Sequence, residues 1–301
     1  MREPRWVPLP GLSLLRRQLA QVLRAKVAGD DAAVRAREIW GSEGPRWFGP
    51  ADPIWRVHAD ASMFVGGLRA LLLQSLHPLA MAGVAGHSGY RGDPWGRLQR
   101  TSHFLATTTF GTVDHAQRAI AQVREVHLRV RGKAEDGRPY AASDPHLLDW
   151  VHLAEVDSFL RCHQLFGAEP LTPDDADLYV RETGVVAAEL GAESPPRSVR
   201  ELDERLAAFR PELRATAASR DAARFLLLDP PLPLAARPGY GLLAAGAVAS
   251  LPGWARRELR LPPPFVAWDW PSLRLGAAGA GVVRWALSDA SLASERQSGR
   301  V

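Results

Sequence analysis

One stretch limits the architecture more than any other: SMFVGGLRALLLQSLHPLAMAGVAG, residues 62–86. It is apolar all round a helical wheel, and a helix of that kind is enclosed either by protein or by lipid. A bilayer span needs roughly 20 predominantly apolar residues with few charges. Here Arg69, Gln74, His77 and Pro78 interrupt the run. A proline inside a helix removes a backbone hydrogen bond and clashes with the carbonyl one turn earlier. The stretch therefore predicts buried core helix over about 61–85, kinked or broken at Pro78, in a soluble chain with a large interior.

The rest of the chain carries the same 3.6-residue periodicity, and strict apolar–polar alternation is scarce, so strands are expected to be few or absent. Helices are expected over 12–28 and 31–40, then a Gly/Pro/Trp-rich connector, GSEGPRWFGPADPIWRVH. Asp93 and Pro94 stand as N-cap and first residue of a helix running through Arg97 and Thr101 to about Gly111. The next helix is expected from about Asp114, with Gly132 as its C′ residue. Asp136-Gly137 marks a small hairpin, and Thr172 caps a later helix. With 301 residues and no internal repeat or linker, the simplest reading is all-α, a single globular multi-helix domain. Its bounds are an N-terminal segment over 1–50, the main domain over 51–290 and a frayed tail over 291–301.

Composition excludes several function classes. The net charge of +4 is nearly all arginine, spread along the chain, with lysine only at Lys26 and Lys133. No basic run is interleaved with aromatics, so no nucleic-acid partner is expected. The single cysteine, Cys162, excludes an intrachain disulfide framework and suits a buried hydrophobe. The N-terminus lacks the apolar core of a secretory signal. A cytoplasmic protein without a transmembrane segment is the expectation.

All nine histidines fall between His58 and His163, which places the functional half first. In the helix around 114–131, Ala116, Ala119, Ile120, Val123, Val126 and Val130 form an apolar stripe, and His127 stands inside it. An imidazole there is either a core group satisfied by one hydrogen bond or a ligand to a metal. On the preceding helix, Arg97, Arg100 and Thr101 share one neighbourhood by their spacing of three and four. Guanidinium groups near a buried face need an anion or an acceptor, or else they reach to water or pair with carboxylates. His152 and His163 share a face with Glu155 and Phe159, expected as a partly exposed polar edge. There is no His-Glu-x-x-His zinc motif, no Glu-x-x-His pair of the di-iron bundles, no strand context for a dinucleotide loop and no Gly-x-Ser-x-Gly elbow.

The blocks GGLRALLLQSLHPLAMAGVAGHS, RLQRTSHFLATTTFG, VREVHLRVRG, YAASDPHLLDWVH and LPGWARRELRLP, in that order, resemble the MpaB-type oxygenase family, which includes the rubber oxygenases. The resemblance covers roughly 56–262. It implies an all-helical fold enclosing a haem b (iron) pocket, with His127 in VREVH as the axial ligand. It also places Arg97, Arg100 and Thr101 on the oxygen-binding side or near the haem propionates. Rubber-oxygenase relatives carry lysine where Arg100 stands, and arginine is far less able to lose its proton and ligate iron. The membrane anchor of some fungal relatives is not expected. A ring nitrogen of His127 should donate to a carbonyl or carboxylate. The implied partners are O₂ and a hydrophobic small-molecule substrate with an oxidisable alkene or aromatic group. Leu98, Leu105, Ile120, Val123 and the 71–73 region are expected to line its pocket. Two other readings share these residues: a non-catalytic haem sensor or carrier, and a haem-free helical interaction protein. His152 and His77 are the alternatives to His127 as iron ligand.

Overall fold

The chain turns at Pro78. Ser62–Gln74 is one helix and Pro78–His87 the next, bent by 107° at the break between them. The computed structural model describes residues 32–87, 92–261 and 266–298, with Ala20 and Gly29 besides. Among these, the order is α1 (Ala32–Gly41), α2 (Pro53–Ala59), α3 (Ser62–Gln74), α4 (Pro78–His87), α5 (Pro94–Phe110) and α6 (Val113–Arg129). A hairpin follows, β1 (Arg131–Lys133) and β2 (Pro139–Ala141), then α7 (Pro145–Phe166), α8 (Pro173–Leu190), α9 (Val199–Phe209) and α10 (Ala217–Leu228). The chain continues through α11 (Arg237–Ser250), α12 (Gly253–Glu258) and α13 (Val266–Ser298). The helix expected over 12–28 lies outside the described residues, save Ala20.

The architecture is all-α, and the two-stranded antiparallel hairpin, with Arg131 opposite Ala141, is the only sheet among the described residues. Its turn uses Gly137 at φ +83°, a conformation that favours glycine. The hairpin also shortens α6. Val130 is extended and its carbonyl accepts from the Ala142 amide at 2.8 Å, so the helix stops at Arg129. Gly132, expected as a helix cap, is instead a strand residue opposite Tyr140.

The core is built where α3 meets α7. No single described helix is long and apolar enough to cross a membrane. Helix α3 and the turn after it are packed in protein, with Val65, Leu72, Leu73 and Leu76 fully buried, while α4 is buried at Pro78 and Met81 and exposed at its end. Gly66 permits the approach of α3 to α7, because a Cβ there would sit 2.9 Å from the Phe159 ring. The charge in this seam is answered: Arg69 pairs with Asp157 at 2.7 Å and donates to Ser158 Oγ at 2.7 Å and to the Ser250 carbonyl at 3.1 Å. Burial of this kind is tolerated only with such complete satisfaction. Cys162 is sealed beside it, its thiol pushed up to about 11 by burial, as expected of a small hydrophobe. On the other side of the seam, α11 and α13 touch at Gly246 and Gly276, where a Cβ on either would lie 2.6 Å from the other's Cα.

Candidate functional site

The local signals that set α5 and α6 are side-chain caps. Asp93 accepts from the Gly96 amide at 2.9 Å with Pro94 at the first position, and Gly111 ends the helix. Thr112 then caps α6 by accepting from the His115 amide at 3.4 Å. Two residues join the helices, which pack against each other as a hairpin. At about 1.5 Å per residue, Arg97, Arg100, Thr101 and His127 all lie towards the end remote from the Gly111 turn.

The threonine run occupies the turn end. Thr107, Thr108 and Thr109 are buried. Thr108 donates to the Phe104 carbonyl at 2.9 Å, and Thr109 Oγ1 lies 2.8 Å from His58 Nδ1. His58 Nε2 is 3.3 Å from the Tyr179 hydroxyl. Burial, with a smaller push from His163, lowers the His58 pKa to about 3, so this ring is a neutral hydrogen-bonding relay between α5 and α8. Sequence spacing could not reveal it, since 51 and 121 residues separate His58 from its two partners.

Towards the remote end the packing changes. The stripe of α6 is buried at Ala116 and Ile120, half-buried at Val123 and Val130, and open at Val126, which is 44% exposed. His127 sits in this second half. Burial holds its pKa below the usual histidine range, so the ring is neutral at neutral pH. Its Nδ1 is buried, and no hydrogen-bond partner reaches it, so the carbonyl or carboxylate expected there is not among the described residues. Buried polar atoms are rarely left so.

Across the hairpin, Arg97 is half-buried, its pKa lowered by burial and then by the neighbouring Arg100. Arg100 is 67% exposed in its side chain and donates to Asp93 at 3.1 Å. Thr101 is also exposed. The structure thus brings Arg97 closer to the interior than its two companions. Of the apolar residues expected to line a pocket, Leu72 and Leu73 are instead sealed in the core, because α3 is packed from several sides. Ile120, largely buried, lines a shallow surface pocket with Gln117, Ala121 and Arg124. Leu71, Leu105 and Val123 keep some accessible surface, and Leu98 is 37% exposed.

The polar edge expected on α7 keeps partial exposure at His152 and Glu155, while Phe159 and His163 on the same face are buried. Burial, with a lesser contribution from Arg205, lowers His152 to about 4, and its Nε2 is buried with no hydrogen-bond partner. Glu155, one turn on, is raised to about 7 by burial. His163 is buried, with Nε2 at 3.0 Å from the Glu169 carbonyl. Periodicity identifies the shared face, and the fold shows that it passes from partly exposed at His152 and Glu155 to buried at Phe159 and His163.

The fold and these residues define an all-α protein with neutral, partnerless imidazole nitrogens set inside it. The family described as ER-bound oxygenase mpaB/B'/rubber oxygenase, catalytic domain, matches residues 55–285, and the chain belongs to this oxygenase family. No curated protein and no solved structure matches it significantly.

Proposed function

We propose that this chain is a haem b-dependent oxygenase that uses O₂ to oxidise or cleave a hydrophobic small molecule at an alkene or aromatic group. The observation that carries the reading is His127: a neutral imidazole with a buried, partnerless nitrogen, set in the half of an apolar stripe that protein covers only in part. Only a neutral imidazole ligates iron. The apolar flank suits a porphyrin face, and the half-buried Arg97 suits an anionic propionate or a polar oxygen species. On these grounds the residues fit the group.

In this reading His127 holds the iron, and Arg97, Arg100 and Thr101 stand on the side of the pocket where oxygen or propionates are met. Bound haem supplies the oxidising chemistry, and the protein supplies binding, orientation and electrostatics. Arg97 is a fixed positive charge in a half-buried setting, where charge acts more strongly than in water. Arg100, tied to Asp93 at the surface, contributes a charge that cannot be lost, unlike the lysine of the rubber oxygenases. Apolar residues with accessible surface, Leu71, Leu105 and Val123 among them, select an apolar substrate over a sugar or nucleotide.

The test has two arms. The purified chain, supplied with haem, should show a Soret band, and terpenoid alkenes at micromolar to millimolar levels should perturb it while nucleotides do not. O₂ consumption dependent on such an alkene separates an oxygenase from a haem sensor or carrier. A chain that takes up no haem is a helical interaction protein instead.

A further inference from the structure

Away from this hairpin, three residues distant in sequence converge on one point. His77 is in the turn before Pro78, His146 is the second residue of α7, and Glu212 ends the 3-10 turn Arg210–Glu212 after α9. His146 Nε2 lies 3.0 Å from each Glu212 carboxylate oxygen, and His77 Nε2 lies 3.4 Å from Oε2. Ligand atoms of all three residues fall within 4.8 Å of one another.

We infer that His77, His146 and Glu212 bind one divalent transition-metal ion, with Zn²⁺ as the species their donor set suits. Two imidazoles and a carboxylate are borderline nitrogen and oxygen donors. A tetrahedral ion with bonds of about 2.0–2.1 Å holds its ligand atoms about 3.3 Å apart, close to the spacing here. The His146–Glu212 contact alone needs no ion, since it is an ordinary charge-assisted hydrogen bond.

His77 is the residue that calls for one. Its side chain is 2% exposed, and its Nε2 is buried without a hydrogen-bond partner although it is aimed at the carboxylate. Its other ring nitrogen is barely engaged: Nδ1 takes only a long 3.5 Å contact from the Ala80 amide. Ligation through Nε2 would shift the ring proton to Nδ1 and give up no stronger bond. His146 is held ready from both sides: its amide donates to Asp144 at 3.0 Å, and its ring stacks on Phe209 at 4.5 Å. Arg138, whose positive charge acts on His77, is engaged by Asp136 at 2.9 Å. Three protein ligands leave a fourth position for water on the side where His146 and Glu212 meet solvent. The ion would clip the α3–α4 turn to the start of α7 and to the turn after α9. It is separate from the haem reading and stands or falls without it.

The experiment is Zn²⁺ titration of the full chain, dialysed against a chelator and followed by competition with a chromogenic chelator. We expect one saturating ion per chain and a rise in melting temperature on loading, since a ligand of the native state stabilises it. Glu212→Gln and His146→Ala, both at half-exposed positions, should each weaken binding at least tenfold. His77→Ala should do the same, while His103→Ala and His127→Ala leave the stoichiometry and affinity unchanged. Absence of saturable binding overturns the proposal, as does equal affinity in the wild type and in Glu212→Gln and His146→Ala.

Discussion

The α3–α7 seam and the remote end of the α5–α6 hairpin both place polar groups among apolar ones, and they treat them oppositely. In the seam, Arg69 has a carboxylate, a hydroxyl and a carbonyl, each within 3.1 Å. In the hairpin, the Nδ1 of His127 has no partner and the stripe around it is only half covered. The seam has the local consistency of a region selected for stability. The hairpin breaks the rule that buried polar atoms are paired, and such breaks concentrate where a protein binds or reacts.

Breaking the seam should have the largest effect. Asp157→Ala strands Arg69 in the core and should cost about 3–5 kcal/mol, read from urea unfolding. His127→Phe, an apolar aromatic replacement in the half-covered hairpin, should move the same midpoint by less than about 1 kcal/mol in the haem-free chain. Equal losses would erase the contrast between the two regions.

Next comes the α11–α13 contact. Gly246→Val pushes a side chain against α13, because its Cβ would lie 2.6 Å from the Gly276 Cα. Overpacking of this kind costs roughly 1–3 kcal/mol. Thermal unfolding should show the fall, with the absorption of any bound haem unchanged.

The pH dependence sharpens the comparison further. His152 has its pKa lowered to about 4 and His58 to about 3. Both rings titrate near 6.5 when unfolded, so the unfolded chain binds protons first as pH falls. Stability is therefore held above pH 6.5 and lost towards pH 4 and below. Glu155 acts in the opposite sense: raised to about 7, its contribution is present below pH 4.5 and lost as pH rises through 7. His152→Phe should flatten the acid limb between pH 6.5 and 4, followed by urea midpoints across that range. An unchanged limb would mean that this ring is solvated.

Arg100→Ala should have the smallest effect on stability, within about 0.5 kcal/mol, because its pair with Asp93 is exposed. Any change in haem affinity or oxygen uptake in that variant is then functional in origin. Arg97→Ala, by its deeper position, should change these more than Arg100→Ala does.

The fold is legible in the sequence where local chemistry decides. Asp93-Pro94 and Thr172 lie at or beside the helix starts they signal, Pro78 marks a break, and Asp136-Gly137 marks the hairpin. The stripe that contains His127 is legible because periodicity is local as well. What a sequence cannot carry is what covers a face. His152, Glu155, Phe159 and His163 share a side of α7 at any burial, and only the helices packed over it bury Phe159 and His163 while leaving His152 and Glu155 partly exposed. The end of α6 departs from expectation for the same reason, since pairing between Val130 and Ala142 outweighs the preference of Gly132 for a cap. The His58–Thr109–Tyr179 relay and the His77–His146–Glu212 cluster have no spacing motif at all, because each joins segments far apart in the chain.

Whether His127 holds haem iron is decided most directly by the Soret spectrum of the haem-loaded chain beside that of His127→Ala, with far-ultraviolet circular dichroism on both. The wild type should give a histidine-ligated spectrum. The variant should show at least a tenfold loss of haem affinity, or loss of that spectrum, with helical content retained. An unchanged spectrum and affinity in His127→Ala would contradict this assignment and move the ligand to another imidazole, with His152 first.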